Sequence, residues 1–323
     1  LAAPVAFMGG MSRAAREGII VKGGGVLEVL ARVRTAVFDK TGTLTHGAPT
    51  ISRVVALPPF QEGLLLQLAA SAEQASSHVL AASIVAAAKE RGLPLIPVVR
   101  SSEVGARGIV ATLDDQVVAV GTFAFIKELD GTAEVAHLSG GELAIYVAVD
   151  EQSAGCIVAT DVVRANAKST IESLRHHGVG DVLMLTGDAQ ATADHVARVV
   201  GVDGVHAECL PIDKVSIVRD IRQRPVLMVG DGVNDSPVLA SADIGIAMGA
   251  RGATAASEAA SAVILVDDVS LVARAVVIGQ DTVRIALQSI WLGIALSLVL
   301  MSIAAFGLIP ATVGAGIQEL VDL

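Results

Sequence analysis

Positive charge is scarce: 23 Lys and Arg against 33 Asp and Glu leave a net charge of −10 and a pI near 5.1. A general nucleic-acid binder needs clustered Lys and Arg to neutralise phosphates, so no nucleic-acid partner is expected. Cysteine is almost absent. Cys156 and Cys209 stand 53 positions apart with no CxxC pair, which excludes a disulfide framework and offers no zinc-site spacing. Aromatics make up 2% of the chain, and between 51 and 152 they are Phe60, Phe123, Phe125 and Tyr146, too few to argue for adenine stacking. The opening LAAPVAFMGGM starts with Leu and lacks the basic start of a signal peptide, so an excised piece of a longer chain is expected, cut at its end as well. The 34 residues from Ile285 to Gln318 lack Asp, Glu, Lys and Arg altogether. A membrane helix needs ~20 apolar residues, so one full span is expected over 286–309, with a truncated second segment after Pro310.

What is present is apolar. Of 323 residues 53% are hydrophobic and mean hydropathy is +0.65, enough for more than one core. Three apolar runs end on aspartate: TAVFD at Asp39, VLMLTGD at Asp188 and PVLMVGD at Asp231. Continuous runs of this kind mark parallel strands buried on both faces. Each precedes a loop or a helix-like stretch such as ATADHVARVV or SPVLASA, so a parallel α/β sheet is expected. Ligands bind beyond the carboxyl ends of such strands, where aspartates 149 and 43 residues apart can converge. DIGIAM (243–248) and SAVILV (261–266) would extend the sheet. The chain between the first and second runs is too long for one crossover. An inserted domain is therefore expected over 51–152, with helices over 64–76 and 79–91, then strands VVAV and AIYVAV. No internal repeat or low-complexity tract stands out.

An aspartate at a strand tip, followed by Lys, Thr and Gly, is arranged either as a nucleophile toward phosphorus or as a turn residue capping the next segment. For Asp39 the two readings stand side by side until the other strand ends are considered. Phosphoryl transfer needs positioning and charge neutralisation. GDGVND supplies Asp231 and Asp235; Asp39, the main-chain carbonyl of Thr41 and Asp231 offer hard oxygen ligands for Mg²⁺. Thr186 can hydrogen-bond a phosphoryl oxygen, and Lys214 can neutralise it or can simply be a solvated helix lysine.

DKTGTLT, LTGD, PIDK and GDGVNDSP, in this order, resemble the phosphorylation domain of P-type ATPases. The resemblance implies a haloacid-dehalogenase-like fold, with Asp39 phosphorylated beside Lys40 and Thr41, and Asp231 and Asp235 at magnesium. It implies phosphate contacts from Lys214 and Thr186, and cofactor contacts from Gly187, Asp188 and Asn234. Phosphatases of that fold usually carry a second aspartate two residues after the nucleophile as acid and base; Thr41 stands there and cannot move that proton. A persistent acyl phosphate follows, as a pump requires and a phosphatase does not.

AEQASSHVLAASIV resembles the nucleotide domain of heavy-metal pumps: Glu73 and His78 match, while Val79 replaces a proline. EVGARGIVA resembles its glycine-rich loop, with Gly108 matching the second glycine, Ala106 at the first, and Gly121 in the next element. The implied cofactors are ATP and Mg²⁺. The implied organisation is the end of a membrane helix and a stalk over 1–33, a phosphorylation domain over 34–50 and 153–275, a nucleotide domain over 51–152, and a membrane segment over 276–323. A single-chain, multi-pass pump of the cell membrane is implied, in contact with lipid, with cytoplasmic catalytic domains and a heavy-metal cation as cargo. The implied actuator domain and most of the membrane domain lie outside this sequence. Glu319 and Asp322, three apart and so on one helix face, are candidates to hold the ion or to sit at a membrane interface. The readings set against this one are a soluble phosphatase of the same fold and a non-catalytic nucleotide-binding module. His176 and His177, just before Gly178, are expected to complement a helix C-terminus.

Overall fold

The computed structural model describes residues 2–47, 49–76, 79–104, 107–231, 235–249 and 258–306, with 313, 314 and 316. His78, Ala106, Asn234, Glu319, Asp322 and most of the expected second membrane segment lie outside them, as does the side chain of Val79. The chain opens with helix α1 (Ala2–Arg16), strand β1 (Ile19–Val21), helix α2 (Gly24–Leu30) and strand β2 (Thr35–Asp39). All five β2 residues are buried, which explains why the run shows no polar alternation: both of its faces are covered.

A second compact unit follows, Thr45–Val163 together with Ala191–Val196. It contains β3 (Thr50–Ala56), α3 (Glu62–Glu73), α4 (Val79–Glu90), β4 (Val98–Val104), β5 (Gly108–Leu113), β6 (Gln116–Gly121), α5 (Phe123–Leu129), β7 (Glu142–Val149) and β8 (Gln152–Thr160). The strands form an antiparallel sheet in the order β3-β8-β7-β6-β5-β4. Leu65, Leu66 and Leu68 of α3 and Ile84 of α4 join Ile109, Val147 and Ile157 of the sheet in one core. The unit is wider than the expected 51–152 because β3 and β8 pair along their length, from Thr50 opposite Thr160 to Ala56 opposite Gly155. Both connecting segments thereby become part of the inserted sheet.

The chain then returns through α6 (Ala167–His176), β9 (Asp181–Leu185), α7 (Gln190–Val200), β10 (Gly204–His206), α8 (Pro211–Asp220), β11 (Val226–Gly230), α9 (Ser236–Ser241), β12 (Ile244–Met248), β13 (Ala262–Ile264) and α10 (Ser270–Ala305). Its sheet has the order β1-β13-β12-β11-β2-β9-β10. Every pairing is parallel except β1 with β13. β2 lies between β11 and β9, with Phe38 opposite Val229 on one side and Asp39 opposite Leu185 on the other. The three aspartate-tipped runs are therefore adjacent strands with their carboxyl ends level. The expected 1–33 stalk is not separate from this sheet, because β1 completes its edge.

The membrane boundary expected at 276 falls inside α10, a continuous helix of 36 residues. At 1.5 Å per residue it is about 54 Å long, against roughly 30 Å for a bilayer's hydrocarbon core. Its first half packs on α1, with Val272, Val276 and Ile278 buried. Two ion pairs fix that contact: Arg13 to Asp281 at 3.1 Å, and Arg274 to both Glu17 oxygens at 2.5 and 2.8 Å. Farther along, Trp291, Leu292, Leu298 and Val299 are exposed. Among the described residues α10 is the helix long and apolar enough to cross a membrane, and 6% of its most apolar window is buried.

Candidate active site

β2 ends at Asp39, and the chain turns at once through Lys40–Leu44. Gly42 makes the turn possible. Its φ is +73°, and a Cβ there would stand 2.7 Å from Asp231 Oδ2, so a side chain would meet both backbone strain and the Asp231 carboxylate. The strand tips gather the expected groups. Asp39, 5% exposed, accepts a hydrogen bond from Lys214 Nζ at 2.5 Å, and the same ammonium donates to Asp235 Oδ1 at 3.2 Å. Lys214 belongs to the first turn of α8, whose start is fixed by Pro211 and by Asp213 Oδ2 accepting from Leu210 N. Asp235 is the N-cap residue of α9, with Pro237 in the first turn.

Burial pushes the Asp39 carboxyl up from 3.8 to about 7, reinforced by Asp235 and Asp231 and opposed by Lys214. Burial pulls the Lys214 ammonium down, but the Asp39 and Asp235 carboxylates outweigh it and hold the group above its ordinary value. Asp39, Asp231 and Asp235 thus bring three carboxyl groups together at the strand tips, with the Lys214 ammonium between Asp39 and Asp235. Among the described residues no three His, Cys, Asp or Glu side chains form a ready-made metal cage. Magnesium does not need one, since it is held by one or two carboxylates with water and substrate phosphate. The hard carboxylate oxygens of this donor set fit that ion.

On the neighbouring tip Thr186, buried, accepts from Asp188 N at 3.1 Å through its hydroxyl oxygen. Its hydroxyl proton thus remains to donate to an incoming oxygen. Lys40 is buried and pairs with Asp188 at 2.8 Å. The sequence reading missed one residue of this constellation, Arg164, whose guanidinium donates to the carbonyls of Thr43 and Gly42. The one available signal was a basic residue just past the end of an apolar strand.

In the second unit Glu73 ends α3 and is 6% exposed. Burial raises its carboxyl, with Glu103 adding to the rise and a Ser76 hydrogen bond opposing it; Oε2 makes no hydrogen bond among the described residues. Gly108 and Gly121 are cross-strand partners. A Cβ on either would fall 2.2 Å from Val120 O or 2.3 Å from Arg107 O, and about 3 Å from the Phe125 ring. Close strand contact under Phe125 is therefore a packing reason for both glycines, independent of any ligand. His177 Nδ1 lies 2.7 Å from Ser173 O at the end of α6, as expected of a C-terminal histidine.

Residues 33–243 match the family described as haloacid dehalogenase-like hydrolase. The chain is 36% identical over 310 residues to the "Cadmium, zinc and cobalt-transporting ATPase" of Bacillus subtilis strain 168, covering 94% of this chain and 44% of that protein. It is 39% identical over 321 residues to a "Copper-exporting P-type ATPase" of Staphylococcus epidermidis, covering 96% and 39%. The chain thus spans less than half the length of these curated relatives. The crystal structure of a zinc-transporting PIB-type ATPase in the E2.Pi state superimposes with a TM-score of 0.82 at 31% identity, over 99% of this chain and 54% of that one. The chain therefore belongs to the haloacid dehalogenase-like hydrolase family, and the relatives it resembles along nearly its whole length are named as heavy-metal-transporting ATPases.

Proposed function

We propose that this chain carries the catalytic apparatus of an ATP-driven pump that moves a heavy-metal cation across a membrane. The observation that carries the proposal is the bridging of Asp39 and Asp235 by Lys214 at the tips of adjacent parallel strands, beside a Thr41 that cannot serve as acid or base. An Asp39 oxygen attacks the γ-phosphorus of ATP; the new O–P bond forms as the bond to the β-phosphate oxygen breaks, and ADP leaves. Lys214 neutralises charge on the transferred group, and the Thr186 hydroxyl donates to one of its oxygens. Asp39, Asp231 and Asp235, with the Thr41 carbonyl, would hold Mg²⁺, which when bound supplies positive charge beside the transferring phosphoryl group. With no aspartate at Thr41, water attack on the acyl phosphate gains no help from that position, and the intermediate persists long enough to drive a conformational step.

Glu73 is the described residue of the second unit proposed to contact ATP, with Gly108 and Gly121 shaping the surface beside it. Helix α10 is proposed as one span of a multi-pass membrane domain whose catalytic units face the cytoplasm. The test is ATP hydrolysis by the full-length protein in membranes, with zinc, cadmium and copper(I) in parallel arms. Stimulation by at least one metal that vanishes in Asp39→Asn is expected; hydrolysis indifferent to every metal would leave a phosphatase instead.

A further inference from the structure

Arg164 is 5% exposed, and a buried guanidinium survives only where its donors are used. Its Nε donates to Thr43 O at 2.8 Å, and Nη2 donates to Gly42 O at 3.1 Å and to Asp267 Oδ1 at 2.6 Å. Nη1 reaches Asp267 O at 3.3 Å, and the Arg164 main-chain N–H donates to Leu44 O at 2.9 Å. One side chain thus holds two successive carbonyls of the turn that carries Asp39 and also the segment leading into α10. Two residues farther on, Asn166 Nδ2 donates to Asp268 Oδ1 at 2.6 Å. That same oxygen accepts from Ser270 N and Oγ at the start of α10. The turn is held against a local cost, because Thr43 Oγ1 is buried with no hydrogen-bond partner among the described residues while the Thr43 carbonyl is engaged by Arg164.

We infer that Arg164 is a positioning residue that fixes the Asp39 turn and, through Asp267, ties it to the segment that leads into helix α10. The planar fork is what makes the tie possible. Its donors diverge toward carbonyls on one side and a carboxylate on the other, which a lysine ammonium cannot reach at once. A shift of α10 along or about its axis therefore pulls on the Gly42 and Thr43 carbonyls, and a change of the turn on phosphorylation pulls on α10. The coupling is reciprocal, as any linkage between two sites must be.

This inference rests on the proposed pump reading, and the test separates the two. In the full-length protein in membranes, phosphoenzyme formation from labelled Mg-ATP is measured with and without zinc, and with copper(I) in a second arm. Arg164→Lys should lower the maximum rate about tenfold while the KM for Mg-ATP stays within about twofold, because the loosened turn misplaces Asp39 without touching the nucleotide surface. Asp267→Ala changes a side chain that is 61% exposed and should leave folding intact. It should reduce the ratio of metal-stimulated to metal-free phosphorylation about threefold or more, and Asp267→Asn, which still accepts from Arg164, should restore part of it. Variants that match the wild type in both readouts overturn the inference, as does a loss of rate that merely follows a loss of folded protein. A wild type that forms no Asp39-dependent phosphoenzyme overturns the pump reading itself.

Discussion

Replacing Asp39 with Asn should change how the stability of the magnesium-free parallel sheet depends on pH. Burial first, then the neighbouring Asp235 and Asp231, raise the Asp39 carboxyl from 3.8 to about 7 in the folded protein. The fold therefore prefers the protonated acid. The stability from this preference is fully present below about 3.8 and is lost as pH rises through about 7. The full difference is worth roughly 4 kcal/mol as a ceiling, of which about 2–3 kcal/mol is lost between pH 5 and pH 8. Asn has the same shape and no charge, so the variant should lack that loss and become the more stable protein at pH 8, despite weakening the bond from Lys214. Hydrogen–deuterium exchange of β2 and β11 amides, corrected for intrinsic rate and run with magnesium chelated, reads the opening free energy of this sheet directly. Saturating magnesium should erase the difference in slope, because a divalent cation favours the ionised carboxylate. Parallel pH profiles for wild type and Asp39→Asn in the absence of magnesium would refute the electrostatic account of the site.

Two further outcomes are expected. Lys214→Met removes the single ammonium between Asp39 and Asp235 and should slow phosphoenzyme formation by about 10²–10³, the cost of removing one preorganised charge-stabilising donor; quenched-flow rates within threefold of wild type would contradict the role given to Lys214. Gly108→Ala and Gly121→Ala each place a methyl near 2.2–2.3 Å from a carbonyl oxygen and should each destabilise the second unit by about 1–3 kcal/mol; unchanged thermal melting in both would return these glycines to a purely ligand-related role.

What could be read from the sequence was local or repeated. Continuous apolar runs told the buried strands apart from the rest, and the shared aspartate ending gave their direction, because parallel strands present the same end to a ligand. Asp39, Lys214 and Asp235 could be brought together on paper since each sits in a motif that has a chemical reason of its own. Arg164 has none: its role arises from carbonyls more than 100 residues upstream and a carboxylate more than 100 downstream, and no spacing rule reaches that far. The pairing of β1 with β13 and of β3 with β8 was hidden for the same reason, because strand partners are chosen by tertiary packing. That choice moved both the 1–33 and the 51–152 boundaries. Gly108 and Gly121 illustrate the opposite difficulty: their positions were legible, but the close contact with Val120, Arg107 and Phe125 needs three-dimensional information.

The proposed pump cycle requires Asp39 to become a covalent phosphoryl carrier. The most direct measurement incubates the protein with γ-labelled Mg-ATP, quenches in acid and treats the product with hydroxylamine, for wild type and Asp39→Asn side by side. The expected result is an acid-stable label that hydroxylamine removes and that the Asn variant never acquires. A label that persists in Asp39→Asn, or phosphate release with no trapped intermediate in the wild type, would contradict it.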